Sequence, residues 1–383
     1  MNPRRQRIGV FGRGTSPGDG GSDTLLGTIA ANLPALGAAG EVEIVPVPWS
    51  AWSHRRRPWR YAWCRLVRYC GGEWPLVDLR PVCRRYRIDV AYLAAPAFVR
   101  IDVPFVFSVW DLGHRTIPEF PEMRSGRDPW THREALYRTM LGQASFVVVG
   151  NRTGAAEVRA IYGLPADKVI ALPFPNPDFS GVAEETPAGL PAARFFVYPA
   201  QFWPHKNHFT LLHALAHLER EGGEATGRPH LILAGADKGN AAYLRTTARE
   251  LGLAERVHFP GLVSRGELKA LYRRAAGLVF PSLLGPNNLP PQEAAVLDCP
   301  MVLSDLPGHR EQLGEGALYA APLEAAAWAG AMRQLLTDDA LRPSLCGRAR
   351  AAVAGCTPEA YAAGIASLLG QLVARRRLWP AGH

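Results

Sequence analysis

Short, continuous apolar runs separated by longer segments of helical period recur along the whole chain. In the first half they are RIGVF (7–11), VEIVPV (42–47), DVAYLA (89–94), PFVFSVW (104–110), SFVVVG (145–150) and KVIAL (168–172). Runs that are apolar on both of their alternating faces belong in a parallel sheet covered by helices on both sides. The gaps supply such helices: Asp23 to Leu36 with an acidic residue at its start, Pro129 to Gly142, and Arg152 to Tyr162 after Asn151, a residue suited to cap a helix. The pattern predicts a doubly wound α/β domain over residues 1–175.

After Leu172 the alternation stops. The segment PFPNPDFSGVAEETPAGLPAA (173–193) is rich in proline, glycine and acid, and residues 176–193 read as an interdomain linker. Alternation resumes with FFVYPA (195–200), HLILAG (230–235), RVHFPG (256–261), GLVFPS (277–282), PMVLS (300–304) and GALYA (316–320), which predicts a second doubly wound domain over 194–360. The Ala- and Leu-rich tail is helical in pattern, and 361–383 reads as a C-terminal helix and tail able to pack back on the first domain. A chain of 383 residues is long enough for two such cores. In open parallel sheets ligands bind beyond the carboxyl ends of the strands, and in two-domain proteins they favour the cleft between domains.

Composition excludes more than it assigns. No run of roughly eighteen apolar residues occurs, and MNPRRQRIGVF turns into a strand with no signal-peptide apolar region, so a cytoplasmic protein is expected. The six cysteines (Cys64, Cys70, Cys83, Cys299, Cys346, Cys356) lack Cys-x-x-Cys spacing, which favours reduced thiols over a disulfide frame or a zinc site. A formal charge of +9 implies anionic partners, yet no helix-turn-helix, zinc-finger or aromatic RNA-binding signature accompanies it, and nucleic acid is not expected. The excess is concentrated near His54 to Arg68, where Trp52, Trp59, Tyr61, Trp63 and Tyr69 interleave with arginines. This segment, Trp52–Tyr69, suits peripheral attachment to an anionic membrane surface at its inner face; it also fits an ordinary helix with snorkelling arginines.

Two strand ends carry chemistry. FFVYPAQFWPHKN (195–207) breaks at Pro199, crosses a polar loop and presents Lys206 where a helix begins near His208. A lysine there opposes the helix dipole unless an anion is bound, while the free N–H groups and the dipole suit a phosphate. PSLLGPNNLPPQEA (281–294) likewise follows a strand with a Gly/Pro/Asn loop and opens a helix with Glu293 at its start. A fixed carboxylate can accept hydrogen bonds from ribose hydroxyls, and Gly and Asn between 285 and 288 can turn backbone N–H groups toward a sugar or phosphate in left-handed conformations. Together the loops predict a nucleotide-sugar site.

YPAQFWPHKNH (198–208), LVSRGELKALYRRAAGLVFPSL (262–283), GPNNLPPQEA (285–294) and SDLPGHREQLGEGALYAAP (304–322) resemble the retaining glycosyltransferases of family 4, the group 1 glycosyltransferases of GT-B fold. The resemblance covers the second domain closely and the first loosely. It implies transfer of a mannose- or glucose-type hexose from a nucleoside diphosphate sugar to a glycan or lipid-linked acceptor, in surface polysaccharide or lipopolysaccharide biosynthesis. No cofactor is expected, and no Asp-x-Asp metal motif occurs in the chain.

Residue by residue, the resemblance assigns Lys206 to the donor diphosphate and Glu293, the last of a Glu-x7-Glu pair, to the ribose. The place five before Lys206, often arginine in the family, is Gln201. The first glutamate of the pair falls on Gly285, a departure similar to the GPTN-type loop of one branch, which leaves Asn287, Asn288, Leu289 and the loop amides as sugar contacts. Asp111 and His114, in VWDLGHRTIPEF (109–120), resemble an Asp-x-x-His segment at the cleft; the same pair could simply hold its loop. Gly20 and Gly21, in GRGTSPGDGGSDT (12–24), match an acceptor-side glycine loop, although a flexible connection reads equally well. With Lys206, His114 and Asp111 as catalytic residues, the implied route is a front-face displacement in which the enzyme stabilises the leaving diphosphate. The rivals are a nucleotide-sugar epimerase of the same fold, which needs acid and base groups not evident here, and a non-catalytic nucleotide-sugar-binding protein, suggested by Gly285.

Overall fold

The computed structural model describes residues 5–12, 42–48, 76–124, 130–222 and 227–379. Gly20, Gly21, the expected helix 23–36, the segment Trp52–Tyr69, Cys64 and Cys70 lie outside them.

In the first domain the strands are β1 (Gln6–Phe11), β2 (Val42–Val47), β3 (Val77–Asp78), β4 (Val90–Leu93), β5 (Val99–Arg100), β6 (Phe105–Ser108), β7 (Phe146–Val149) and β8 (Val169–Ala171). β3 and β5 pair apart from the rest; the others form a parallel sheet in the order β2-β1-β4-β6-β7-β8. The central strands VAYL, FVFS and FVVV are buried along their whole length. β2 lies at the edge, alternates in burial and carries Pro46, a residue that only an edge strand tolerates well.

In the second domain β9 (Phe195–Pro199), β10 (His230–Ala234), β11 (Val257–Gly261), β12 (Gly277–Phe280), β13 (Met301–Ser304) and β14 (Leu318–Ala320) form a parallel sheet in the order β11-β10-β9-β12-β13-β14. The chain builds outward from β9 in one direction through β10 and β11, then returns to the other side with β12. The order therefore reverses between β9 and β12, and the loops beyond these two strands flank the crevice where doubly wound sheets bind ligands. Both domains are thus doubly wound α/β units of Rossmann type.

Local signals explain where the helices start. Asn151 Oδ1 accepts from Gly154 N at 2.8 Å to cap Arg152–Tyr162, and Ser264 with Glu267 forms a capping box for Arg265–Arg274. The last helix, Pro358–Arg376, crosses back to the first sheet. Its residues Tyr361, Ile365, Leu368 and Leu372 fall on one stripe and pack against Val90, Tyr92 and Val106. Within that apolar contact Tyr361 Oη lies 2.8 Å from Tyr92 Oη, which also lies 3.1 Å from Ser108 Oγ.

Cys83, Cys299 and Cys346 are buried free thiols, and burial pushes Cys83 and Cys299 up to about 12, so both stay protonated and inert. Among the described residues no helix is long and apolar enough to cross a membrane.

Candidate active site

Beyond β9 the chain makes a 3-10 turn, Pro204–Lys206, before the helix His208–Gly222 begins. Asn207 between them is left-handed at φ 56°. It is held there by its side chain, which donates from Nδ2 to Pro281 O (3.2 Å) and Pro322 O (2.8 Å) and accepts at Oδ1 from Thr210 Oγ1 (2.8 Å). Tyr198 Oη donates to Lys206 O at 2.8 Å and Leu283 N donates to His205 O at 2.9 Å, so the turn is tied to the loop that follows β12.

Lys206 itself is half-buried. Its Nζ lies 3.4 Å from Ser282 Oγ and 5.5 Å from the centre of the Phe280 ring, and among the described residues no carboxylate comes within ion-pair distance. Burial lowers its pKa to about 8, partly offset by the charge of Asp111. A half-buried ammonium without a counter-ion is costly to the fold, and it is suited to receive an anion. Gln201, on the same loop, accepts from Trp203 Nε1 at 2.7 Å.

The loop beyond β12 differs from its expected form in two respects. Only Gly285 takes a positive φ, 147°, whereas Asn288 is extended at φ −128°. Asn288 is engaged within the loop: its Nδ2 lies 3.0 Å from His309 Nε2 and 3.3 Å from Leu284 O, and its carbonyl accepts from Gln312 Nε2 at 2.7 Å. Because His309 Nδ1 donates to Ser304 O at 2.8 Å, Nε2 is the acceptor; burial holds this imidazole at about 4 and hence neutral. Gly308, at the start of the supporting helix, permits close approach, since a Cβ there would stand 2.4 Å from Pro286 O. Asn287 Nδ2 is buried without a hydrogen-bond partner among the described residues.

The helix after this loop runs Leu289–Val296, so Glu293 lies in its second turn and does not open it. Pro290 and Pro291 set the start, as proline fits a first turn that needs no N–H. Glu293 is 8% exposed, receives a 2.8 Å hydrogen bond from Tyr272 Oη at Oε2, and has its carboxyl pKa raised by burial. Leu289 packs against the hydrophobic cluster of the first domain.

From the first domain, Asp111 and His114 part company. Asp111 Oδ1 accepts from Gly113 N (2.8 Å) and Arg133 Nη2 (2.6 Å); burial raises its pKa, but Arg133 and the Gly113 N–H outweigh this and bring it to about 2. Its charge acts across the cleft on His205 and Lys206. His114, expected at the reacting centre, is instead fully buried. The short helix Gly113–Thr116, opened by the Asp111–Gly113 hydrogen bond, buries His114. The imidazole stacks on Tyr137, with centroids 5.4 Å apart, and sets Nε2 3.2 Å from Glu134 Oε2 and 3.3 Å from Tyr162 Oη. Burial lowers it to about 4.

Three contacts between the domains escaped sequence reasoning. Glu122 Oε1 accepts from His205 N (3.0 Å) and His205 Nδ1 (2.6 Å). Glu311 accepts from Arg152 N (2.8 Å), Thr153 N (2.7 Å) and Thr153 Oγ1 (2.7 Å). Asn151 Nδ2 donates to Pro286 O. The one available signal was the second Pro-Glu pair, Pro121-Glu122, separated from Pro118-Glu119 by Phe120 alone.

Residues 188–352 match the family of glycosyl transferases group 1. The chain is 31% identical over 141 residues to the O-antigen chain mannosyltransferase RfbU of Salmonella typhimurium, covering 37% of this chain and 38% of the relative. It is 25% identical over 224 residues to the D-inositol 3-phosphate glycosyltransferase of Corynebacterium efficiens, covering 55% and 52%. The chain thus spans 38% and 52% of the lengths of these curated relatives. The crystal structure of Anabaena HepE in complex with UDP-glucose superposes with a TM-score of 0.66 at 16% identity, over 95% of this chain and 99% of that one. The fold is GT-B, and residues 188–352 are similar to the group 1 glycosyl transferases.

Proposed function

We propose that this protein is a retaining hexosyltransferase that moves a mannose- or glucose-type hexose from a nucleoside diphosphate sugar to a glycan or lipid-linked acceptor in surface polysaccharide or lipopolysaccharide biosynthesis. The observation that carries this is Lys206: a cation without a carboxylate partner among the described residues, beyond β9 at the switch point of the second sheet and facing the first domain. A donor diphosphate supplies the missing counter-charge, and the charge that develops on it as the glycosidic bond breaks is what a fixed ammonium stabilises best. Glu293 lies beyond the neighbouring strand for the ribose. For the sugar the loop offers the backbone N–H groups of Gly285 and Asn287 and the side-chain amide of Asn287, whose Nδ2 has no partner among the described residues; Pro286 has no N–H and that of Asn288 points at Gln312. The similarity to RfbU favours mannose and an O-antigen-type acceptor.

Front-face displacement asks of the protein chiefly charge and orientation, which fits retention of configuration without a protein nucleophile. Activity without a divalent metal is expected on the same ground, since Lys206 supplies the charge.

The test is incubation with guanosine, uridine and adenosine diphosphate sugars, with and without glycan or lipid-linked acceptor and with chelator present. Acceptor-dependent release of nucleoside diphosphate, with the anomeric configuration kept in the product, supports the proposal. An altered sugar without release would identify an epimerase, and binding without turnover a sugar-nucleotide-binding protein. Co-sedimentation with anionic liposomes at low salt tests the membrane role of Trp52–Tyr69, which sedimentation without protein would remove.

A further inference from the structure

The turn that carries Lys206 is held from two sides. Its ties through Lys206 N to Trp203 O, Tyr198 Oη to Lys206 O and Leu283 N to His205 O lie within the second domain. Glu122 reaches it from the first domain, and one oxygen of its carboxylate accepts both the backbone N–H and the ring Nδ1 of His205, the residue before Lys206. Both side chains are more than nine-tenths buried, at 8% and 7% exposure. The other oxygen, Oε2, is buried without a partner among the described residues. A buried, half-satisfied carboxylate weakens a fold, so this contact is poorly explained as a stability device. It exists only while the domains are together, because its two halves belong to different domains.

We propose that Glu122 is a positioning residue: when the cleft closes, its carboxylate clamps His205 and thereby fixes the turn that presents Lys206. The clamp holds Lys206 rigidly while the cleft is shut, where charge develops on the leaving diphosphate; the ties within the second domain keep the turn in place for ground-state binding of the diphosphate without it. This rests on the reading of Lys206 as the diphosphate contact. The protonation states agree with it. Burial lowers the His205 pKa, leaving a neutral ring whose Nδ1–H can donate. For Glu122, burial acts upward, but the two His205 hydrogen bonds prevail and its pKa is lowered, keeping the acceptor ionised.

Glu122→Ala and Glu122→Gln test the clamp, since the glutamine amide oxygen can still accept from both His205 donors. Hydrogen exchange of the full-length protein without substrate is expected to show faster exchange of the His205–Asn207 amides in the alanine variant and near wild-type exchange in the glutamine variant. Turnover of the alanine variant should fall by roughly ten- to a hundredfold, the scale of losing hydrogen bonds to a charged group, with recovery to within about threefold in the glutamine variant. Affinity for UDP or GDP, measured by calorimetry, should change by less than about threefold, because the second domain binds the diphosphate in the open state as well. Wild-type exchange in Glu122→Ala, or a glutamine variant as slow as alanine, would overturn the clamp; the latter would assign the carboxylate charge itself to the reaction. If the wild type turns over no donor while the exchange results hold, the clamp stands and the transferase reading fails.

Discussion

The side chain of Asn288 fills the space into which any residue at 285 other than glycine would project: a Cβ on Gly285 would stand 1.8 Å from Asn288 Nδ2. The positive φ of 147° adds a second reason for glycine. The two residues act as a unit, in which the missing side chain at 285 makes room for an amide that braces the loop against His309.

Gly285→Glu, which restores the carboxylate of the related Glu-x7-Glu pattern, is therefore expected to damage this protein. Backbone strain of about 1–3 kcal/mol and displacement of Asn288 should lower the melting temperature and reduce turnover. Adding Asn288→Gly should recover part of the stability. Thermal unfolding and product release measure both effects. A single variant as stable as wild type and faster would mean that Asn288 does not hold the loop.

Lys206 sets a pH dependence. Its pKa of about 8 lies below the ordinary 10.5, so the folded state disfavours its charge. Below pH 8 this weakens the fold, and the penalty is relieved as pH rises from about 8 to 10.5, because the unfolded chain then binds the extra proton. Diphosphate binding runs the other way, needing the ammonium. The kcat/KM for donor is expected to fall as pH rises through about 8, while kcat should hold to higher pH because bound diphosphate stabilises the charge. Lys206→Ala should lower turnover by roughly a hundredfold or more. Lys206→Met should raise the melting temperature of the ligand-free protein by roughly 2–4 °C. A kcat/KM flat to pH 10 would remove Lys206 from the diphosphate.

The strands of the two six-stranded sheets were legible because most are short apolar runs set between turn signals and too short for a helix; VAYL, FVFS and FVVV are buried throughout, whereas the two-residue β3 and β5 carry no such run. The switch-point loops were legible for the same reason, since they follow β9 and β12. Helix starts were less so: Pro290 and Pro291 marked one a turn before Glu293, and the glutamate drew the attention instead. The side chain of His114 was unreadable because the sequence does not reveal that Tyr137 and Glu134, on a later helix, would meet it. Glu122 and Glu311 act on residues of the opposite domain, and contacts at such separation leave no local periodicity.

His114 offers a clean separation of packing from chemistry. Its ring is fully buried between Tyr137, Glu134 and Tyr162, so His114→Ala leaves a cavity and unsatisfied groups, with an expected loss of about 2–4 kcal/mol. Thermal unfolding should show it, and UDP or GDP affinity below the transition should stay within about threefold. A variant that melts like wild type but has lost turnover would return His114 to the reacting centre.

Glu311 mirrors Glu122 across the cleft, as a second-domain carboxylate spent on the first domain. It satisfies the N–H groups of Arg152 and Thr153 and the Thr153 hydroxyl, at the positive end of the helix Arg152–Tyr162. Burial acts to raise its pKa, but the Thr153 and Arg152 hydrogen bonds outweigh this and lower it below the ordinary 4.5. Its contribution is thus present above pH 4.5 and lost as pH falls through the lower folded value. Glu311→Ala removes the acceptor and leaves the donors to water, with an expected cost of about 1–3 kcal/mol. Since the contact joins two domains, the loss should also favour the open form. Small-angle scattering of the ligand-free variant at neutral pH should give a larger radius of gyration than wild type, and saturating UDP or GDP should narrow the difference. Unchanged melting temperature and radius would mean that the Asn151–Pro286 contact and the apolar seam around Leu289 hold the domains without it.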